Sequence, residues 1–359
     1  MEATPHGRDC ERRRGLVRPT PAGCASGHDS DFRALVVLAK GRNVKPRKVL
    51  LTGAFGNLGS LVLEALLQRD YSVIAFDVRN KTNARIARDY EKNPNVEIQW
   101  GDIRDSTQVR KLVNQVEAII HLAAIIVPYS EIHPDLAYDV NVRGTEHIIH
   151  AIQEMARKPL LAYCSSFAVF GPQNQPPPRT LSEKPIASDH YTRHKIACEE
   201  MVQGLQSPWA ILRLGGMVDS RMRHRGLDQM KYAFAMAADN RFEYIHPWDA
   251  ATAFVNCLTQ SDAHNKIHLI GGGSDCQVRH IDVLNATLGA FGITLTDADF
   301  GDKPLYADWA DTAESQRLLQ FQHHSFEDFK RESFEAFKGI RPWIKPAAAV
   351  IKRVILRLV

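Results

Sequence analysis

Residues 48–59 read Lys-Val-Leu-Leu-Thr-Gly-Ala-Phe-Gly-Asn-Leu-Gly, an apolar run that breaks into three glycines, and Ser-Leu-Val-Leu-Glu-Ala-Leu-Leu-Gln follows over residues 60–68. This pattern predicts a strand, a tight turn and a helix. Gly53 would permit the turn, Gly56 would let a pyrophosphate approach the backbone, and Gly59 would let the helix lie close to the strand. The stretch predicts a dinucleotide site, and glycines that serve only packing are the alternative.

The cofactor would lie along this turn and the next strand. The turn contributes Gly53, Phe55, Gly56, Asn57, Leu58 and Gly59, and the first helix would offer its free N–H groups to the phosphates. The following apolar run ends in Asp77, which lies 77 − 53 = 24 residues after Gly53, close to the spacing of an acid that accepts the ribose hydroxyls. Asp77 favours NAD, because its carboxylate would repel the 2′-phosphate of NADP. Arg79 could accommodate that phosphate, so NADP stays a possible cofactor.

Composition limits the class of protein. A chain of 359 residues with 44% hydrophobic residues can bury the core of one large or two close domains. The net charge of +4 is mild and its cations are dispersed, so nucleic acid is not indicated. Six separate cysteines without a Cys-x-x-Cys pair suit a reducing cytoplasm and predict neither a disulfide framework nor a metal site.

Beyond the leader, apolar runs and helical patterns alternate, which predicts an α/β fold with a Rossmann-type, doubly wound parallel sheet. Residues 1–46 are predicted to be a disordered leader or translated sequence upstream of the functional start, with a targeting or nucleic-acid arm as the alternative. A nucleotide-binding domain is predicted over 47–215. A smaller C-terminal substrate lobe would cover 216–340, interleaved with the sheet. The predicted strands are 49–52, 72–77, 96–100, 118–122, 160–165 and 209–214, with a further strand within 266–273. Function should lie at the carboxyl ends of these strands.

The strand ends carry the candidate chemistry. Tyr191 and Lys195 are spaced i, i+4 on a predicted helix, so the ammonium can stabilise a phenolate. Ser166 lies 191 − 166 = 25 residues earlier, at the end of strand five. Such a serine can hydrogen-bond a substrate oxygen while the tyrosine exchanges its proton near neutral pH. At the end of strand three, Asp102 could accept a hydrogen bond from the adenine amino group. At the end of strand four, Ala123 and Ala124 would leave room for the cofactor.

Taken together, these motifs resemble the extended short-chain dehydrogenases/reductases of the NAD-dependent epimerase/dehydratase family, over residues 47–335. The matching stretches are 52–59, Asp77, 101–103, 121–124, 141–145, 165–171, 191–195 and 212–216. The resemblance implies an enzyme in which Tyr191 is the catalytic acid or base, Lys195 also binds the nicotinamide ribose, and Ser166 polarises the substrate. Tyr191 is expected, like Lys195, to contact the cofactor as well. The resemblance also implies cofactor contacts at Ile103 and Leu122 beside those already named, and a structural role for Asn141, or a part in a proton relay.

The resemblance leaves the reaction open. Relatives that dehydrate sugar nucleotides carry an Asp-Glu pair where Phe167 and Ala168 stand, so dehydration is not expected. Gly215 and Gly216 replace an asparagine usual in nucleotide-sugar relatives. Three hypotheses therefore stand: an epimerase of a nucleotide sugar or related polyol, a net dehydrogenase or reductase of a small hydrophobic hydroxy or keto compound, and a non-catalytic nucleotide sensor.

Three further segments yield expectations. The basic run 221–225 could hold a substrate phosphate or be a solvated loop, and Asp249 is expected to cap a helix over 250–258. Residues 341–359 predict a basic amphipathic helix with Ile351, Val354, Ile355 and Leu358 opposite its cations. It could lie on an anionic membrane, or dock on its own domain or on a second subunit. The family resemblance implies a homodimer.

Overall fold

Seven apolar runs form one parallel sheet in this computed structural model, which describes residues 48–218 and 226–359. The predicted leader and the basic run 221–225 lie outside the described residues. The strands are β1 Lys48–Thr52, β2 Ser72–Asp77, β3 Val96–Trp100, β4 Ala118–His121, β5 Leu160–Ser166, β6 Trp209–Leu214 and, after β7 Arg241–Glu243, β8 Lys266–Ile270. Their order is β3-β2-β1-β4-β5-β6-β8, all parallel. The order reverses between β1 and β4, so a ligand crevice is expected there. The predicted fold class is confirmed.

Helices cover both faces of the sheet because its central strands are apolar on each side. One face packs against α1 and α9, and the other against α3, α6 and α7, in the numbering that follows. The helices are α1 Asn57–Leu67, α2 Lys81–Ala87, α3 Ser106–Val113, α4 Tyr129–Ile132, α5 Pro134–Tyr138, α6 Gly144–Glu154, α7 His190–Gln203, α8 Leu227–Ala235, α9 Pro247–Cys257, α10 His280–Gly289, α11 Ala313–Leu319, α12 Phe326–Phe337, α13 Arg341–Ile344 and α14 Ala348–Leu358. Among these helices none is long and apolar enough to cross a bilayer.

The sequence predicts one helix over 134–155, and the structure divides it into α5, a π-helical turn over Asp139–Arg143, and α6. Asn141 lies in this turn and bonds across to the segment that follows β4: its Oδ1 accepts the Ile125 N–H at 2.7 Å, and its Nδ2 donates to the Ile125 carbonyl at 2.8 Å. A π turn inserts an extra residue into the helix and re-aims the side chains around it. The structural role expected for Asn141 is confirmed.

Asp249 does not cap α9, contrary to the expectation. Pro247 takes the first helical position, so the helix begins earlier and His246 is its N-cap. Asp249 instead accepts the backbone N–H groups of His323 and His324 and the His324 Nδ1–H, the last at 2.6 Å. The rings of His246 and His324 stack at 4.0 Å and 17°, so their in-plane lone pairs cannot converge on one metal ion. Hydrogen bonding accounts for this cluster.

A small lobe lies beside the strand ends, built on the antiparallel pair β7 and β9 Gln277–Arg279. Its Glu243 is buried and accepts the N–H of Gly273 at 2.9 Å and of Ala310 at 3.3 Å. Its backbone also joins the lobe to the sheet, because the Glu243 carbonyl accepts the Gly216 N–H at 2.8 Å. Glu243 therefore joins the lobe to the end of β6.

We expect Glu243 to make folding stability depend on pH. Burial raises its pKa from 4.5 to about 7, against the opposing effect of the Gly273 N–H. A raised folded pKa contributes stability below the unfolded pKa, and that stability is lost as pH rises through the folded pKa. Between pH 4.5 and 7 the parent should lose about 3 kcal/mol relative to Glu243→Gln. Urea unfolding of both proteins at several pH values measures this difference, and parallel curves would contradict it.

Candidate active site

The glycine turn between β1 and α1 has the shape of a phosphate cradle. Gly53 has φ +68°, a left-handed conformation that favours glycine. A Cβ at Gly59 would lie 2.0 Å from the Gly53 carbonyl oxygen, so α1 can approach β1 only without a side chain there. A Cβ at Gly56 would meet only the Gly53 oxygen at 3.3 Å, so that backbone faces open space. The three glycines therefore have the geometry that the sequence predicted.

Two polar features of the turn fit a dinucleotide. Helix α1 begins after Gly56 without a side-chain cap, so its first N–H groups remain available to an anion. Asn57 Oδ1 is buried and has no hydrogen-bond partner within the described residues. A buried oxygen of this kind is costly unless a partner satisfies it. The turn, Phe55, Asn57 and Leu58 included, therefore fits the phosphates of NAD.

The ends of the neighbouring strands bring the other expected cofactor contacts to the same edge. Asp77, at the end of β2, accepts the N–H groups of Phe55 and Val78, and burial raises the pKa of its carboxyl group. The backbone N–H groups of Leu122 and Ala123 both donate to Thr52 Oγ1 at 3.2 Å. Ala124 follows them and is partly exposed.

Asp102 and Ile103 follow β3 and have partners of their own. The Asp102 carboxylate accepts hydrogen bonds from Arg104, which lower its pKa. An adenine amino group would therefore have to share that carboxylate with a guanidinium. Ile103 is buried against α6, where only a glycine, Gly144, leaves it room.

Gly56→Ala should separate cofactor binding from folding. Gly56 has φ −71°, which alanine adopts freely, and its new Cβ touches only the turn itself. We expect nearly unchanged stability and NAD affinity lowered by more than about tenfold, because the methyl group occupies the side from which the pyrophosphate approaches. Titration calorimetry with NAD measures the loss. Gly289→Ala, where a Cβ meets nothing within 4 Å, is the matched control. Equal affinities would contradict this account of the turn.

The three candidate catalytic side chains meet where β5 and α7 face the crevice. Ser166 ends β5, and its hydroxyl lies close enough to the Tyr191 phenol to oppose the rise in the phenol's pKa that burial causes. Lys195 lies one helical turn beyond Tyr191, with its Nζ 5.6 Å from the centre of the Tyr191 ring. That Nζ also lies 4.9 Å from the Tyr163 ring centre and donates to the Cys164 carbonyl at 2.7 Å. The arrangement places two hydroxyls and one ammonium together.

The electrostatics of Tyr191 differ from the sequence expectation. Burial raises the pKa of the phenol well above its ordinary value, and the nearby Ser166 hydroxyl opposes that rise. The expectation of a phenol that titrates near neutral pH is therefore not met by this arrangement. Burial is the largest cause of this shift, and Lys195 Nζ hydrogen-bonds the Cys164 carbonyl rather than the phenol oxygen.

Sequence reasoning missed the residues that hold the start of α7. Asp189 caps the helix by accepting the Thr192 N–H at 2.7 Å, and the Thr192 hydroxyl accepts the Asp189 N–H in return. Glu131 of α4 accepts the N–H groups of His190 and Tyr191, each at 3.1 Å. The capping pair is visible in the sequence as Asp189 three residues before a hydroxyl side chain. Glu131 is 191 − 131 = 60 residues from Tyr191, so no local signal indicates it.

A buried ion pair fixes the strand and helix that carry these side chains. Glu199 of α7 accepts two hydrogen bonds from Arg213 of β6, at 2.9 and 2.7 Å. The Ser165 hydroxyl of β5 donates to the same carboxylate at 2.5 Å. Ser165 and Ser166 point to opposite faces of β5, one to the ion pair and one to the crevice. The pair therefore sets the position of β5 relative to α7.

His121, at the end of β4, is buried between two threonines. The Thr145 hydroxyl donates to the Asn141 carbonyl at 2.6 Å, so it accepts the His121 Nε2–H at 3.0 Å. Thr52 Oγ1 then donates to His121 Nδ1 at 2.7 Å. Burial, and next the charge of Lys195, lower the pKa of His121 to about 3. The ring is a neutral brace between β1, β4 and α6.

Comparison with known proteins places the chain in a family. The model of the NAD dependent epimerase/dehydratase family matches residues 49–271, which is 271 − 49 + 1 = 223 of the 359 residues. The chain belongs to this family of NAD-dependent enzymes. The predicted resemblance is confirmed, and NAD, the predicted cofactor, is the one that the family's description names.

Individual relatives differ in their substrates. The chain is 27% identical to a putative UDP-glucose 4-epimerase of Methanocaldococcus jannaschii, over 69% of this chain and 85% of that protein. It is 29% identical to a 3-beta-hydroxysteroid dehydrogenase of Mycolicibacterium neoaurum, over 44% of this chain and 43% of that protein. The chain thus spans less than half of the length of the latter relative.

Solved structures share the fold. The UDP-glucuronic acid 4-epimerase of Bacillus cereus, in complex with UDP-glucuronic acid and NAD, superposes with a TM-score of 0.70 at 22% identity. That match covers 82% of this chain and 99% of the other. The dTDP-glucose 4,6-dehydratase of Bacillus anthracis also has a TM-score of 0.70, at 18% identity over 84% and 99% of the two chains. Identities this low establish the fold alone.

Proposed function

We propose that this protein is an NAD-dependent oxidoreductase that interconverts a secondary alcohol and a ketone through Ser166, Tyr191 and Lys195. The observation that supports the proposal best is the meeting of three side chains: the Ser166 hydroxyl lies close enough to the Tyr191 phenol to affect its pKa, and Lys195 Nζ lies 5.6 Å from the centre of the Tyr191 ring. Ser166 is the last residue of β5, and Tyr191 lies in the first turn of α7. Both hydroxyls therefore lie at the edge of the sheet that carries the glycine turn. One substrate oxygen could contact both.

Each side chain has a distinct role in this proposal. Bound NAD would accept or supply the hydride. Ser166 holds the substrate oxygen, and Tyr191 Oη takes the hydroxyl proton when the alcohol is oxidised and returns it when the ketone is reduced. Lys195 supplies a fixed positive charge, anchored to the Cys164 carbonyl, that favours the phenolate in the proton transfer.

A nucleotide sugar that passes through a transient ketone is the first candidate substrate. The supporting observation is the relative named as a putative UDP-glucose 4-epimerase, which aligns over most of its length. An epimerase needs the Tyr191 proton transfer in both directions but leaves the cofactor unchanged overall. Phe167 and Ala168, which follow Ser166, bring no carboxylate for a dehydration.

A hydrophobic hydroxy or keto compound is the second candidate, and the crevice edge favours it. Ile126, Tyr129 and Ile132 are exposed around Glu131, the residue that binds the Tyr191 backbone. Exposed apolar side chains grouped beside a site often mark a ligand surface. A 3-beta-hydroxysteroid dehydrogenase is among the relatives, although it aligns over only 44% of this chain and 43% of its own length.

One assay separates these substrates. The purified protein is incubated with NAD and either UDP-glucose or a 3-beta-hydroxysteroid, while nicotinamide absorbance and products are followed. An epimerase converts the sugar with no net absorbance change, and a dehydrogenase accumulates NADH in equal amount to its product. NAD binding without turnover of either compound favours the non-catalytic sensor. Failure to bind NAD would contradict the proposal as a whole.

We further propose a homodimer in the cytoplasm, with residues 216–340 covering the crevice of the nucleotide-binding domain. The family resemblance supports the dimer, and the six dispersed cysteines support a reducing compartment. Sedimentation velocity tests the assembly, and a monomer at micromolar concentration would contradict it.

A further inference from the structure

Residues 341–358 form a nearly continuous helical segment, which we name the basic strap. It consists of α13, a 3₁₀ turn over Lys345–Ala347, and α14. One side of the strap packs on its own lobe, where Ala348 is buried in a cluster with Phe234, Ile293 and Leu295. Ile351 and Ile355 pack against the same cluster. The strap therefore docks on its own domain, one of the arrangements expected from the sequence.

The opposite side of the strap is apolar as well. Trp343, Val350, Val354 and Leu358 are 84, 62, 49 and 52% exposed, respectively. Val350, Val354 and Leu358 are spaced four residues apart on one face of α14, and Trp343 lies seven residues before Val350 in α13. Val354 and Leu358 thus face outward, whereas the sequence grouped them with Ile351 and Ile355. The inner side of the strap is already packed on its own lobe, so this outer row of apolar side chains has no partner within the described residues. An exposed apolar patch of this kind often marks a binding surface.

The charges around this stripe have a single sign. Residues 336–359 contain six lysines and arginines and no aspartate or glutamate. Lys352 is already paired with Asp299 at 2.7 Å and donates to the Thr294 carbonyl. Arg353 and Arg357 are exposed and form no ion pair with any described residue. They flank the apolar stripe and remain available to an external anion.

We propose that the basic strap binds the surface of an anionic lipid bilayer. The stripe would enter the boundary between headgroups and acyl chains, with Trp343 at the interface, while Arg353 and Arg357 contact lipid phosphates. A second copy of the chain fits this face less well, because two-fold contact would bring the same uncompensated cations together. The proposal does not depend on which reaction the active site performs.

Vesicle sedimentation tests the proposal with the full chain. The probes are vesicles of phosphatidylcholine alone and of an equimolar mixture of phosphatidylcholine and phosphatidylglycerol. We expect binding only to the mixed vesicles, weakened by salt. Each basic residue near an anionic surface contributes about a fivefold change in affinity. Arg353→Gln/Arg357→Gln should therefore lower vesicle affinity by about 25-fold.

Matched variants test whether vesicle binding depends on the strap itself or only on the protein's overall charge and exposed apolar surface. Arg85→Gln/Arg88→Gln removes the same charge from another exposed helix end, and Leu181→Ala removes an exposed apolar side chain elsewhere. Both should bind mixed vesicles like the parent, whereas Trp343→Ala should bind at least about tenfold more weakly. Brominated lipids should quench the parent's tryptophan emission more than that of Trp343→Phe.

Three outcomes would overturn the proposal: equal binding to both vesicles, equal loss in the Arg85 and Arg88 control, or no binding at all. Loss of a dimer in Trp343→Ala without any vesicle binding would instead assign this face to a second copy.

Discussion

Tyr191→Phe is expected to lower the turnover rate by about 10²- to 10⁴-fold, the range that a positioned proton donor or acceptor contributes. The substitution removes only the phenol oxygen. The ring, which faces Lys195, stays in place, and so do the backbone contacts to Glu131. Folding and NAD affinity should therefore remain near the parent values. Steady-state rates with the substrate found in the turnover assay, and calorimetry with NAD, measure the two effects separately.

A control variant shows that the loss belongs to this one oxygen. Tyr138→Phe removes a phenol oxygen from α5. The Tyr138 ring is exposed and contacts the His194 ring of α7. It should turn over like the parent. Parent-like turnover by Tyr191→Phe would remove the role assigned to the phenol, whichever substrate is used. A fall in NAD affinity alone would show that Tyr191 binds the cofactor without transferring the proton.

Arg213→Met should destabilise the fold by about 3–5 kcal/mol, because it leaves the Glu199 carboxylate buried without its cation. Both side chains are about 3% exposed, so water cannot replace the lost partner. Glu199→Met should cost a similar amount, and the double variant should cost less than the sum, because each single variant already includes the unpaired charge. Urea unfolding at neutral pH gives these free energies.

An exposed pair provides the comparison. Arg110 and Glu154 approach to 3.0 Å but are 60 and 50% exposed, so Arg110→Met should cost less than about 1 kcal/mol. If Arg213→Met were equally mild, the ion pair would not be what holds β5 to α7. Arg213→Met should also slow turnover, because Ser165, which donates to Glu199, is next to Ser166 in β5.

The sheet was predictable because its central strands are nearly continuous apolar runs, as is typical of parallel strands that are buried on both faces. β2, β3 and β6 begin and end at the predicted residues. The glycine turn was equally predictable, since Gly53, Gly56 and Gly59 each meet a separate steric demand. These features arise from local sequence.

What escaped prediction depends on distant partners. The division of the helix over 134–155 follows from Asn141 bonding to Ile125, and nothing within the helical pattern indicates that contact. The start of α9 follows from Pro247, while Asp249 bonds to a backbone more than 70 residues away. The pKa of Tyr191 depends on burial, which spacing alone cannot supply.

The neutral brace at His121 has a consequence for handling the protein in acid. Its pKa is about 3 in the folded chain and 6.5 when unfolded, so every molecule that unfolds between these values takes up a proton. A depressed folded pKa contributes stability above the unfolded value, and this is lost as pH falls toward the folded one. The stability that His121 contributes should therefore be about 2 kcal/mol smaller at pH 5 than at pH 8, and the gain from protonated Glu243 over the same range opposes this loss. In the Glu243→Gln variant, which lacks the opposing gain, this proton uptake should appear as a falling melting temperature in mildly acidic buffers.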